Sequence, residues 1–336
     1  MSLARCHRIA AAGALLLACA GGAHAAALPT LAGERRAGPL VVTHGGVGSP
    51  SSLADGPRAA ADTALRVLIA GGSSLDAALA GTVMLENDPR FNAGTGANIR
   101  LDGKTIQMDA SLMTGEGRFA AVGAIERVRN PVLVARAVMD STPHLFLVGE
   151  GATRFAHQIG FEDAVPVSAD AEAKYRLRMK RQAEVFARTD TSFFDWRRYW
   201  NFPGPLPADV LGWGKRGDTV GTVARDARGR FAATLSTGGT SVTLCGRVGD
   251  VPVYGAGLYA GPAGAVACTG EGEEIIKRFM ARSVYERMAS GVPARRAVEE
   301  AVAKFPARFD LGLIAVDREG WGVAANRDMA YGMSGR

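Results

Sequence analysis

"RGDTVGTVARD" occupies residues 216–226 and joins two unlike pieces of chain. Before it, "SFFDWRRYWNFPGPLP" at residues 192–207 is aromatic and proline-bearing, without a clean helical or strand period. After it, residues 219–225 and 231–236 read as strands, and "DARGR" at 226–230 makes the turn of a hairpin between them. Thr219 therefore stands where a linker, residues 191–213, gives way to the first strand of a core. Threonine at a strand start is commonplace, so its meaning depends on the rest of the chain.

Outward from this point the periodicities alternate between strands and helices. "GPLVVTHGG" opens with a short apolar strand at residues 40–43, and helical spacing follows over 57–70. Ser73 and Asp76 have capping-box spacing, which predicts a second helix running to Glu86. "KTIQMDASLM" and "FAAVGAIE" read as neighbouring strands, and Asn130 with Pro131 as the N-cap and first residue of a helix reaching Met139. Residues 171–188 are rich in Lys, Arg and Ala and predict a surface helix. A glycine turn in "TGEGEEIIKRFMARSVYERM" predicts one long helix from Glu273, and "LGLIAVDREGWGVAA" a closing hairpin. Strands opening each half, followed by helix pairs, predict stacked sheets with helices outside.

Composition narrows the function. The 336 residues suffice for one large domain or two modest ones. Residues 1–25 read as an export signal: Arg5 and Arg8, an apolar run over 9–20, and "AHA" at 23–25. This predicts a periplasmic or secreted product, with a lipoprotein anchored at Cys19 as the alternative. The formal charge of +6 falls by two when Arg5 and Arg8 leave, a surplus too small to indicate nucleic acid. Cys245 and Cys268 remain, enough for one disulfide in an oxidising compartment but without zinc-site spacing.

Hydrolytic chemistry needs a nucleophile and a base. Of five histidines, His7 and His24 leave with the signal; His44, His144 and His157 remain, and no Gly-X-Ser-X-Gly elbow accompanies His44 in "THGGVG". One nucleophile supplies its own base: a chain-terminal threonine uses its α-amine, whose unperturbed pKa is about 7.7–8.0. Internal Thr219 lacks that amine and gains it if the Asp218–Thr219 bond is cut. Attack of Thr219 Oγ1 on the Asp218 carbonyl gives an ester that water opens. A fragment 26–218, carrying the linker, and a fragment 219–336 would result.

"GDTVGTVARD", "AATLSTGG", "GRVGDVPVYGAGLYA", "CTGEGEEIIKR" and "GLIAVD" follow one another in that order, after "VVTHGGVG", "AALAGTVMLENDPRFNAGTGANI" and "MDASLMTG". This series resembles the threonine-dependent asparaginase family of N-terminal nucleophile hydrolases, over nearly all of 39–330 outside the linker. The family includes isoaspartyl peptidases with L-asparaginase activity and glycosylasparaginases. The resemblance implies an α+β fold, a four-layer αββα sandwich, built as one domain from both fragments. It implies Thr219 as nucleophile and Thr237 as the hydroxyl that orients it. Arg247 and Asp250 match a clamp on a substrate's α-carboxylate and α-amine, a pairing that suits a guanidinium fork and a carboxylate. Thr269 and Gly270 match the oxyanion hole. Gly272 belongs to the same substrate loop, and Asn92 matches a polar support.

Residues 85–95 match a loop that wraps a sodium ion with main-chain oxygens, here those of Leu85, Glu86, Asp88, Phe91, Ala93 and Thr95; no cofactor takes part in catalysis. Small β-aspartyl substrates and a homodimer of cleaved heterodimers are implied as partners. Asp218 departs from the glycine usual before the nucleophile in isoaspartyl-type members and, with "HLFLVGE", resembles the glycosylasparaginase branch. "FNAGTGANI" and "CTGEGE" resemble the isoaspartyl branch, and Glu271 stands where a small or hydroxyl residue is common. The reading is therefore a self-cleaving amidohydrolase for β-aspartyl dipeptides and L-asparagine. The alternatives are a glycosylasparaginase and, outside the enzymes, a periplasmic amino-acid-binding protein.

Overall fold

The computed structural model describes residues 28–186, 219–240 and 242–336. The signal segment with Cys19, the linker 191–213 and Asp218 lie outside the described residues.

Two sheets form from strands of both halves of the chain. In the seven-stranded sheet the order is β12-β2-β6-β7-β3-β4-β5. Its members are β2 (Leu40–Val47), β3 (Met108–Thr114), β4 (Phe119–Ile125), β5 (Phe146–Val148), β6 (Val220–Arg225), β7 (Phe231–Thr237) and β12 (Met329–Gly335). Every pair is antiparallel except β4 with β5. The five-stranded sheet runs β1-β11-β10-β9-β8, from β1 (Thr30–Ala32), β8 (Leu258–Gly261), β9 (Gly264–Gly270), β10 (Leu311–Asp317) and β11 (Trp321–Ala325).

The central strands, such as β2, β3, β6, β7 and β10, are buried on both faces, so alternation shows in where side chains point and not in polarity. Leu40 and Val42 of β2 join Val223, Leu235, Ala267 and Ile314 in a core between the sheets. Val41, between them, faces helices α1 (Asp55–Ile69), α2 (Ser74–Glu86) and α3 (Pro131–Ser141) with Ala64, Leu79 and Val134. Val266 and Cys268 of β9 face the other way, onto α7 (Met280–Ala289) and α8 (Ala294–Lys304) through Val284 and Val298. Between these lie α4 (Gly149–Gln158), α5 (Ala169–Phe186) and the short α6 (Gly272–Lys277).

Several local expectations hold. Ser73 and Asp76 form the reciprocal capping box, and α2 ends at Glu86. The hairpin after Thr219 is present, its turn held by Asp226 Oδ1, which accepts N–H bonds from Arg228 and Arg230. The terminal hairpin pairs β10 with β11.

Others need correction. The long helix from Glu273 is two helices, because Phe279 sits between them in the left-handed region at φ 44°. Asn130 occupies the N-cap of α3, but its side chain makes no cap bond. Its Nδ2 donates to Glu86 Oε2 at 2.9 Å, and Glu86 Oε1 accepts Val132 N–H at 3.0 Å, so Glu86 caps the helix from a distance. Cys245 and Cys268 are both free, so the one available disulfide does not form. Among the described residues no helix is long and apolar enough to cross a membrane.

Candidate active site

Thr219 precedes β6, a central strand between β2 and β7, and is 5% exposed. Val220 pairs with Ser236, so one more step of that register puts Thr219 opposite Thr237. His44 pairs with Gly221, two residues past Thr219, and β2 runs on from there to Val47. The neighbouring Val47 donates its N–H to Thr269 Oγ1 at 3.1 Å, tying the end of β9 in the other sheet to this corner. Thr219, Thr237 and Thr269 thus gather at one end of the stacked sheets. His44 lies here too, its ring over Gly221, where an added Cβ would come within 2.6 Å of Nε2. Burial pushes its pKa from 6.5 down to about 3, so it stays neutral and is a poor proton acceptor near pH 7.

The turn that carries Thr237 is held by asparagines. Asn92 Nδ2 donates to the Gly239 carbonyl at 2.7 Å, and Asn92 O accepts Gly238 N–H at 2.9 Å. Asn98 Nδ2 reaches the same Gly239 carbonyl at 2.8 Å, and Asn98 N–H binds Asn92 Oδ1 at 2.9 Å. Thr237 Oγ1 accepts Gly239 N–H at 3.0 Å, which fixes the rotamer of the hydroxyl. A Cβ on Gly238 would lie 2.5 Å from Asn92 Oδ1, so the close approach requires glycine.

Arg247 and Asp250 converge. A Cβ on Gly272 would lie 2.9 Å from Arg247 Nη2 and 3.0 Å from Asp250 Oδ1, so the two charged heads meet over that glycine. Gly272 follows Thr269, Gly270 and Glu271 directly, which brings the two side chains beside the threonine corner. Arg247 is engaged through Nε and Nη2 by Glu273, at 3.0 and 2.9 Å. Burial alone would raise Glu273, but the guanidinium holds its carboxyl below the usual range. Glu271 goes the other way, raised by burial and by Glu273 beside it. Asp250 is 4% exposed, its Oδ2 has no partner among the described residues, and burial pushes its pKa to about 7.

Residues 85 and 86 end α2, and 87–95 follow as tight turns. The carbonyls of Leu85, Asp88, Phe91 and Ala93 each accept one turn N–H, from Asp88, Phe91, Ala93 and Gly96 in order. Glycines let carbonyls crowd in: a Cβ on Gly94 would lie 2.4 Å from Glu86 O, and one on Gly96 2.6 Å from Pro89 O. The carboxylate of Asp88 is held by Arg90, and that of Glu86 by Asn130 and Val132 at the start of α3. Among the described residues no cluster of His, Cys, Asp and Glu could hold a metal.

Asn98, Glu273 and the buried Asp109 were not singled out from sequence. Asp109 opposes Thr237 in the β3–β7 register and binds Gly249 N–H at 3.2 Å. Its signal was its place in "MDASLMTG", an acid inside an apolar strand.

The family described as Asparaginase matches residues 38–334. The chain is similar to the plant-type L-asparaginase of Pyrococcus furiosus, 36% identical over 303 residues, covering 87% of this chain and 94% of that protein. The isoaspartyl peptidase/L-asparaginase of Mus musculus is 37% identical over 295 residues, covering 85% and 84%. That of Danio rerio is 37% identical over 291 residues, covering 84% and 87%. With a match over almost its whole length and relatives above 30% identity, the chain belongs to the asparaginase family.

Proposed function

We infer that the protein is a threonine amidohydrolase that hydrolyses β-aspartyl dipeptides and L-asparagine once it has cut itself before Thr219. The observation that carries the reading is the meeting of Arg247 and Asp250 over Gly272, two residues past Gly270 and beside the threonine corner. A fork for a carboxylate and a buried anion for an ammonium, set side by side, match the α-groups of an aspartyl unit. The names of the relatives quoted above agree with that substrate class.

In maturation, Thr219 Oγ1 attacks the Asp218 carbonyl, the Thr219 amine departs, and water opens the ester to leave a free carboxylate on Asp218. In turnover, the freed α-amine takes the Oγ1 proton as Oγ1 attacks the side-chain carbonyl of the substrate. Thr269 Oγ1 and the Gly270 N–H stabilise the oxyanion, and Thr237 orients the nucleophile. Ammonia or an amino acid leaves with the proton, and water releases aspartate from the ester. Glu273 takes Nε and one N–H of Nη2, which leaves Arg247 its remaining N–H groups for the substrate carboxylate. The N-terminal nucleophile sandwich of four layers suits the two packed sheets and the helices on their outer faces. Main-chain oxygens of Leu85, Glu86, Asp88, Phe91, Ala93 and Thr95 would hold a structural sodium ion. The basic start, apolar run and small-residue site read in residues 1–25 favour an exported product. The exposed apolar edge at Leu145, Phe146 and Val148 supports a dimer of processed heterodimers.

Intact mass and N-terminal sequencing, followed by kcat/KM for β-Asp-Leu, L-asparagine and GlcNAc-asparagine, test the reading. A new terminus at Thr219 with turnover of the first two is the expected result. A single uncut, inactive chain that binds amino acids would make it a binding protein, and a preference for the glycosylated substrate would make it a glycosylasparaginase.

A further inference from the structure

Two polar side chains interrupt the inner face of β3. Met108, Ala110 and Leu112 pack toward the helices, while Met113 joins the core between the sheets. Asp109 and Ser111 share the face of Met113, and both are fully buried. A carboxylate in that position costs free energy unless its hydrogen bonds and charge partners offset the loss of water. Its partners are specific. Asp109 Oδ1 accepts Ala124 N–H at 2.8 Å, and Oδ2 accepts Gly249 N–H at 3.2 Å. Ser111 Oγ donates to the carbonyl of Val251.

Gly249 and Val251 flank Asp250, so β3 grips the clamp loop on both sides of the residue aimed at the substrate. Ala124 is held left-handed at φ 47°, where the β3–β4 register shifts between Met108 and Ala110. That conformation is unfavourable for an L-residue and turns its N–H onto Asp109. Arg100 and Arg247 lie within electrostatic reach of the same carboxylate.

We propose that Asp109 and Ser111 are positioning residues for the α-group clamp: they set where Arg247 and Asp250 stand without touching the substrate. The proposal rests on the amidohydrolase reading above. The competing role is at the nucleophile, because Asp109 also opposes Thr237 across β3–β7.

Asp109→Asn and Ser111→Ala separate the two roles, with wild type and Arg247→Ala beside them. Asparagine keeps one acceptor but turns an NH2 toward an N–H. Serine removal frees the Val251 carbonyl and leaves the strand intact. For both variants the expected result is complete self-cleavage and a kcat/KM for L-asparagine and β-Asp-Leu lowered about tenfold, carried by KM, with kcat within about threefold. Wild-type kinetics in both folded variants overturns the proposal. So does a fall in kcat at unchanged KM, which assigns the pair to the nucleophile. If Asp109→Asn does not fold, Ser111→Ala decides alone. A wild-type protein that is cut but turns over neither substrate overturns the amidohydrolase reading, and the positioning role falls with it.

Discussion

Asp250 is a carboxyl held away from water with one oxygen unpartnered, beside a guanidinium already engaged by Glu273. Burial raises its pKa from 3.8 to about 7, so it is largely neutral below that pH and anionic above. An ammonium needs the anion. The ratio of kcat/KM for L-asparagine to that for succinamic acid, which has the same amide but no α-amine, should therefore rise with pH toward 7 and level above it. Both substrates share the nucleophile, so the ratio isolates Asp250, and a flat ratio refutes its role. The same shift has a stability consequence of definite sign. A carboxyl whose folded pKa is raised stabilises the fold below 3.8, and loses that contribution as pH rises through about 7. Asp250→Asn should accordingly gain melting temperature relative to wild type between pH 5 and 8. At Arg247, alanine should abolish most turnover yet leave self-cleavage intact, since the scissile bond offers no α-carboxylate. Lysine should rescue little, because a point charge does not reproduce the fork.

Between residues and the fold stand the short connections that aim side chains. Gly272 opens α6 where any Cβ would enter the space between Arg247 Nη2 and Asp250 Oδ1, at 2.9 and 3.0 Å. Gly272→Ala should raise KM for L-asparagine about tenfold with self-cleavage unchanged, as steady-state kinetics on the processed enzyme would show. A normal KM would mean that the two heads do not act together. What the sequence made legible at this scale was local chemistry. The capping box at Ser73 and Asp76, the turn at Asp226 and the glycine before α6 each act within a few residues of chain. The break at Phe279 was not legible, because no glycine or proline marks it. Nor was β12, where Tyr331 and Met333 pack inward beside glycines that blur the alternation. In the site, the threonines, Arg247 and Asp250 stood in ordered motifs. Asn98, Asp109 and Glu273 each reach a partner in the site, Gly239, Gly249 and Arg247, that is 26 to 141 residues away, a separation that no spacing rule covers.

The order β12-β2-β6-β7-β3-β4-β5 interleaves the two halves of the chain. Strands β2, β3, β4 and β5 precede the linker; β6, β7 and β12 follow it. β6 is hydrogen-bonded to β2 on one side and β7 on the other, and β1 from the first half edges the sheet of β8–β11. Cutting one peptide bond before β6 removes none of these pairings, and the core between the sheets draws on Leu40, Met113, Val223 and Val323 alike. The break should therefore leave a complex that denaturant separates and dilution does not. Purified protein should run as one species on native size exclusion and as two bands, ending at 218 and beginning at 219, under denaturing electrophoresis. Thr219→Ala should give one band, no turnover, and a fold whose circular dichroism matches the processed form, since the alanine deletes the attacking hydroxyl and little packing. After full unfolding the two forms should part. The uncut variant refolds as a single chain, whereas the processed pair must also re-associate, so its refolding yield should fall on dilution. Equal yields at every concentration would show that the fragments do not share one sheet, and would break the link between the self-cut and this topology.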